Sequence, residues 1–224
     1  MGCDHAVAMI LAFRTDADVE AAAPAVTGHL SANRLLGYPT ETVYGIGSAP
    51  KQGALAALAA LKGRPPRKPF LLLVSGRLMA EEWGLVFNAS ARALSDVFWP
   101  GPLTLVLRGG EGRLPDELRG AEGGIAVRHT SHRGMAQLIG RIGIPITSTS
   151  ANRPGTPPAP GVDGLVALFR AAVDSGDLLV LDGGVLGNVP PSTIVDCTTS
   201  VPLMIREGAI PRAELRRHAG RLAP

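Results

Sequence analysis

The sequence predicts a mixed α/β sheet in one domain. Strand-like segments alternate with helical ones in the first part of the chain and then crowd together late, a pattern typical of mixed sheets. "FLLLV", 70 to 74, is a continuous apolar run of strand length, as expected for a strand covered on both faces. Gly and Pro, 28 and 19 of 224 residues, are spread throughout and imply many tight turns.

In chain order, "AVAMILAF" (6 to 13) reads as a first strand, and "DADVEAAAPAVTGHL" as a helix interrupted by Pro24. "RLLGY" is a strand that leads into "PTETVYGIG". "QGALAALAALK", 52 to 62, is rich in Ala and Leu and is strongly helical. After "FLLLV" come helices at 77–86 and 90–98, then the turn "WPGP", with Trp99 packing into the core. "LTLVL" and "GIAVR" are strands, a helix spans 132–141, and another strand enters "PITSTSAN". "VDGLVALFRAA" is a helix, "LLVLD", "STIVDC" and "PLMIRE" are strands, and "RAELRRH" is a terminal helix.

Composition narrows the function classes. With 46% hydrophobic and 18% charged residues the chain is of ordinary globular type, long enough to bury a core. No apolar run approaches membrane-spanning length, and "AVAMILAF" lacks the basic leader of a signal peptide. Cys3 and Cys197 lie far apart, which fits a reducing cytoplasm and neither a disulfide framework nor a metal site. His5, His29, His129, His132 and His218 show no metal-ligand spacing and read as surface residues. "GGVLGN" and "GIGSAP" match neither the dinucleotide fingerprint nor the ordinary phosphate loop, and no G-x-S-x-G elbow is present.

Four segments have the residues for chemistry. In "LKGRPPRKPF" a helix end is followed by Lys62, Arg64, Arg67 and Lys68 on a proline-stiffened stretch, with no acid between Gln52 and Met79. Such an arm displays cations at low entropic cost, as polyphosphate recognition requires; a solvated basic loop has the same composition. "PITSTSAN", 145 to 152, is poor helix material and too polar for a core strand. It is either a Ser/Thr turn or a ligand-holding loop at a strand's carboxyl end. "PTETVYG" and "PSTIVDC" repeat the hydroxyl-rich theme beside strands, where capped turns are the alternative. Three such segments plus a cationic arm suggest one concave polar site with phosphate affinity.

Taken in order, "PTETVYGIG", "LKGRPPRKPF", "WPGPLTLVL", "GIAVR", "PITSTSAN", "PSTIVDCT" and "MIREGAI" resemble the YrdC/TsaC family of L-threonylcarbamoyladenylate synthases, over residues 34 to 210. The resemblance implies one YrdC-like domain spanning 1–224, a twisted mixed sheet flanked by helices around a large basic cavity, and no additional C-terminal domain. It implies a cytoplasmic nucleotidyltransferase that makes threonylcarbamoyl-AMP and pyrophosphate from L-threonine, bicarbonate or CO₂, and ATP with Mg²⁺, for tRNA threonylcarbamoyladenosine modification. The partners implied are tRNA and the proteins of the transfer step. By the same resemblance Lys62, Arg64, Ser148, Ser150, Asn152 and Arg206 hold ATP, and Thr40, Arg128 and Ser192 hold threonine. No catalytic acid–base residue and no protein metal ligand is assigned.

The sequence departs from the family pattern at Glu207 and Arg133, where proline is usual, and has no His after "FLLLVS". Two other readings share the fold: a non-catalytic RNA-binding paralogue and a related carbamoyl-transfer enzyme. The quartet Lys62, Arg64, Ser150 and Asn152 argues for the synthase, and 4% aromatic content argues against base stacking on single strands.

Overall fold

A computed structural model describes residues 9–63, 69–187, 189–219 and 223. Arg64, His5 and Cys3 lie outside the described residues. The elements are β1 (Ile10–Ala12), α1 (Asp16–Ser31), β2 (Leu35–Tyr38), β3 (Gly45–Gly47), α2 (Gln52–Lys62) and β4 (Leu71–Val74). Then follow α3 (Arg77–Glu82), β5 (Leu85–Val86), α4 (Ala89–Phe98), β6 (Leu103–Gly109), β7 (Ile125–His129) and α5 (Arg133–Ile142). The last are β8 (Ile146–Ser150), α6 (Val162–Asp174), β9 (Leu178–Asp182), β10 (Thr193–Asp196), β11 (Leu203–Arg206) and α7 (Arg212–Ala219).

The strands form one mixed sheet in the order β1-β9-β2-β3-β8-β4-β7-β6-β10-β11, with β5 paired to β6 off this path. β4–β7 and β6–β10 are parallel, whereas β3–β8, β4–β8 and β6–β7 are antiparallel. α1 packs on α5, α6 on β9, and α4 on both β6 and α7. None of the described helices is long and apolar enough to cross a membrane.

Two local differences from the sequence expectations have plain causes. Pro24 does not interrupt α1, because it lies on the exposed side and its i−4 partner Glu20 is exposed too. The residue that loses its helical partner is thus a solvent-exposed one, while Val19, Ala22, Val26 and Leu30 hold the other side to the core. The helix expected over 77–86 stops at Glu82; Gly84 takes φ +85° and turns the chain into β5.

The larger difference is at "PITSTSAN". Residues 146–150 are not a turn but β8, an internal strand paired on both sides. Its polarity is tolerated because the hydroxyl that faces the core is satisfied. Thr147, fully buried, accepts from Ser48 N (2.9 Å) and bonds the Ser48 hydroxyl (2.9 Å). Tyr38, also fully buried, donates its hydroxyl to the Thr147 carbonyl (3.0 Å). β3 can approach this closely only as glycine: a Cβ on Gly47 would sit 1.7 Å from the Thr147 oxygen. Gly47→Ala is therefore expected to destabilise the protein by at least about 3 kcal/mol, read by denaturant titration; a change under about 1 kcal/mol would contradict this packing.

Candidate active site

The centre of the sheet is two-faced. Leu103, Leu105, Leu107, Ile125, Val127 and Val195 are buried in the apolar core. The alternate residues Thr104, Val106, Ala126, Arg128, Ile194 and Asp196 line a cavity of about 600 Å³, together with Ser148 and Ser150 of β8. The polar site therefore lies across a sheet face, not in a crevice beyond the strands' carboxyl ends. Strand periodicity explains why: a residue two places along the same strand returns to the same face.

Of the residues singled out from sequence, Thr40, Arg128, Ser148, Ser150, Asn152, Ser192 and Arg206 all line this cavity. Lys62 does not. It is buried at the end of α2, and its ammonium donates to the carbonyls of Ser150 (2.7 Å) and Asn152 and to Asn152 Oδ1 (2.9 Å). Ser150 donates its hydroxyl to that same Oδ1 (2.7 Å), and Asn152 Nδ2 donates to the Thr156 carbonyl (2.7 Å). Lys62 thus organises the 150–152 wall from behind. Phe169 of α6 underlies both it and Arg153, at 6.0 and 5.1 Å from the ring centre.

Arg128 is the most demanding group in the site. It is only 4% exposed, makes no hydrogen bond among the described residues, and has Glu41 Oε1 3.9 Å from its Nε. A buried guanidinium stays charged and carries five donors, so unfilled ones are costly unless an anion takes them. Arg206 lies near it: burial first, and the Arg128 charge second, hold its guanidinium below the usual arginine range. Arg206 donates to the Ser192 carbonyl (2.7 Å), and the Ser192 hydroxyl bonds the Thr104 hydroxyl (2.9 Å). Thr40 closes its own turn, donating to the Val43 carbonyl (2.7 Å) and bonding the Thr42 hydroxyl (3.1 Å). The capped-turn reading and a place on the cavity wall thus hold together for Thr40.

The lining is polarised, not uniformly basic, since Arg128 and Arg206 share it with the carboxylates Glu122 and Asp196. Among the described residues no group of three His, Cys, Asp or Glu is placed to hold a metal ion, and no His or Cys lines the cavity. The histidines are less superficial than their spacing suggested. His29, His129 and His132 are half-buried, and burial lowers the pKa of each. Cys197 is buried and free, its thiol pushed up to about 12 by burial. Trp99 packs partly buried against the core, as expected, and donates Nε1–H to the Leu103 carbonyl (2.7 Å).

The departures at Glu207 and Arg133 are absorbed locally. Glu207 accepts from Arg212 N (3.0 Å) at the start of α7, so it is engaged away from the Arg206 guanidinium. α5 begins without proline because His132 caps it, its Nδ1 accepting from Met135 N (3.2 Å), while Arg133 pairs with Asp16. Sequence reasoning missed Thr104, Asp196 and Glu41. For Thr104 and Asp196 a signal existed: each is a polar residue at an alternate position of a predicted strand.

Among the described residues, Arg128 and Arg206, a band of hydroxyls and a cavity of about 600 Å³ form a site suited to holding and positioning anionic substrates. A family model described as telomere recombination, covering Sua5, YciO and YrdC, matches residues 29–208. The chain belongs to the Sua5/YciO/YrdC family. It is 40% identical over 163 residues to a threonylcarbamoyl-AMP synthase of Chromohalobacter salexigens, covering 72% of this chain and 85% of the relative. To the synthase of Thiobacillus denitrificans it is 35% identical over 181 residues, 80% of this chain and 93% of that one. A crystal structure of Pyrococcus abyssi Sua5 complexed with L-threonine superposes with a TM-score of 0.83 at 29% identity, over 96% of this chain and 62% of the other. The present chain thus spans less than two thirds of that protein's length.

Proposed function

We propose that this protein is a threonylcarbamoyl-AMP synthase that joins L-threonine, bicarbonate or CO₂, and ATP. The observation that carries the reading is Arg128, a buried guanidinium on the cavity wall with no hydrogen bond among the described residues. Its fork matches an α-carboxylate, which it would take bidentately. Thr40 and Ser192 stand on the same wall and complete the threonine subsite.

The chemistry follows from positioning. The threonine amine adds to CO₂ and gives N-carboxy-threonine with loss of a proton. One oxygen of that new carboxylate attacks the α-phosphorus of ATP, and pyrophosphate leaves in line. No group on the cavity wall need act as a nucleophile. Ser148 and the second Nδ2 proton of Asn152 donate to phosphate oxygens, Ser150 joins them by turning its hydroxyl from Asn152 Oδ1 to a phosphate, Arg206 neutralises the adenylate from β11, and Arg64 adds a further cation. Lys62 supplies positive charge from behind the 150–152 wall and fixes its shape. Mg²⁺ would enter as part of the substrate, Mg-ATP, held by phosphates and water; among the described residues no group of three His, Cys, Asp or Glu is placed to hold it. A cytoplasmic setting, tRNA as final acceptor and a separate transfer step complete the reading.

The reading is tested by pyrophosphate release from Mg-ATP with threonine and bicarbonate each present or omitted. Release that requires both supports it. Release independent of threonine, or none in any mixture, would overturn it.

A further inference from the structure

We infer that Glu41 is a positioning residue for Arg128: it neutralises the buried guanidinium while leaving the fork's hydrogen bonds to the substrate carboxylate. The inference rests on the synthase reading above. Glu41 lies between Thr40 and Thr42, both on the cavity wall, yet its own carboxylate turns inward. Oε2 accepts the hydroxyl of Thr130, which is fully buried and itself accepts from His132 N (3.2 Å). Among the described residues Oε1 is buried without a hydrogen bond, and so is Nε of Arg128, 3.9 Å away.

That distance is the point. At 3.9 Å the attraction between opposite charges in a low-dielectric wall remains large, but no hydrogen bond forms. A carboxylate about 1 Å nearer would hold the guanidinium in a closed pair and compete with the substrate for its donors. Without any carboxylate, the guanidinium would be a buried cation lacking a countercharge and would turn toward water in the cavity. Thr130 sets the separation by fixing the other oxygen of Glu41. β7 and the 39–44 loop thereby present a charged fork with its hydrogen bonds unspent.

The test is a double-mutant cycle read as kcat/KM for threonine at saturating Mg-ATP, with threonine binding measured by calorimetry alongside. Glu41→Gln keeps the shape and removes the charge. It is expected to lower kcat/KM for threonine about tenfold, while the KM for ATP moves less than about twofold. In an Arg128→Gln background the same change is expected to have less than about a twofold effect, because nothing remains for Glu41 to position. Glu41→Asp, which keeps the charge, should fall between, and it carries the comparison alone if Glu41→Gln does not fold. An equal loss in both backgrounds would make Glu41 a structural tether and overturn the inference. So would tighter threonine binding in Glu41→Gln, which would make it a competing charge. Wild-type protein that neither binds threonine nor releases pyrophosphate with it removes the synthase reading first, and this inference with it.

Discussion

Replacing Arg128 with lysine is expected to raise the KM for threonine by at least about tenfold, and replacing it with alanine to reduce kcat/KM for threonine by about 100-fold or more. The two substitutions separate charge from geometry. Lysine keeps the positive charge near Glu41 but offers a point charge in place of a planar fork. Alanine removes both and leaves the half-buried Glu41 carboxylate, 16% exposed at its side chain, without the Arg128 countercharge, so the melting temperature of that variant should fall as well. The KM for ATP should move far less in the lysine variant, because the residues proposed to hold phosphate, Ser148, Ser150, Asn152 and Arg206, lie outside β7. Steady-state kinetics with each substrate varied in turn provides the check. A lysine variant with unchanged threonine KM would remove Arg128 from the carboxylate subsite.

The second large effect is at Lys62. Substitution by alanine strips the donors from the Ser150 carbonyl, the Asn152 carbonyl and Asn152 Oδ1, and it vacates space beside Phe169. The expected result is a loss of about 100-fold in kcat/KM for ATP together with a destabilisation of about 2–4 kcal/mol. Lys62→Met, which keeps most of the volume, should recover part of the stability and none of the activity. Thermal melts and ATP-dependent kinetics on both variants decide the matter. Full ATP turnover in either would show that the 150–152 wall does not need Lys62 and that phosphate binding lies elsewhere.

How far the sequence could be read depended on whether a feature was local or made across the sheet. α2 was legible to the residue, since "QGALAALAALK" needs only its own propensity and the αL glycine at 63 to define it. β8 was not. Its hydroxyls argue against a strand until Ser48, 99 residues away in sequence, is known to satisfy Thr147. Pro24 misled for a related reason: whether a proline breaks a helix depends on which face of the helix it occupies, and Pro24 and Glu20 are both exposed.

The cavity lining was more legible than the fold detail. Seven of the residues chosen from motif and chemistry line one cavity, drawn from segments as far apart as Thr40 and Arg206. What local sequence does not contain is depth. Nothing in "LKGRPP" says that Lys62 turns back into the 150–152 wall, and nothing in "PTETVYG" says that its acid faces inward toward Arg128. Those outcomes are set by the pairing of distant strands.

The central claim is that one cavity joins a carbon unit on threonine to the α-phosphate of ATP. The most direct measurement supplies bicarbonate labelled in carbon and ATP labelled at the α-phosphorus, with threonine, and separates the products before the labile adenylate decays. The expected result is a single species carrying both labels, formed in step with pyrophosphate and absent without threonine. AMP and pyrophosphate formed with no species carrying both labels would contradict it.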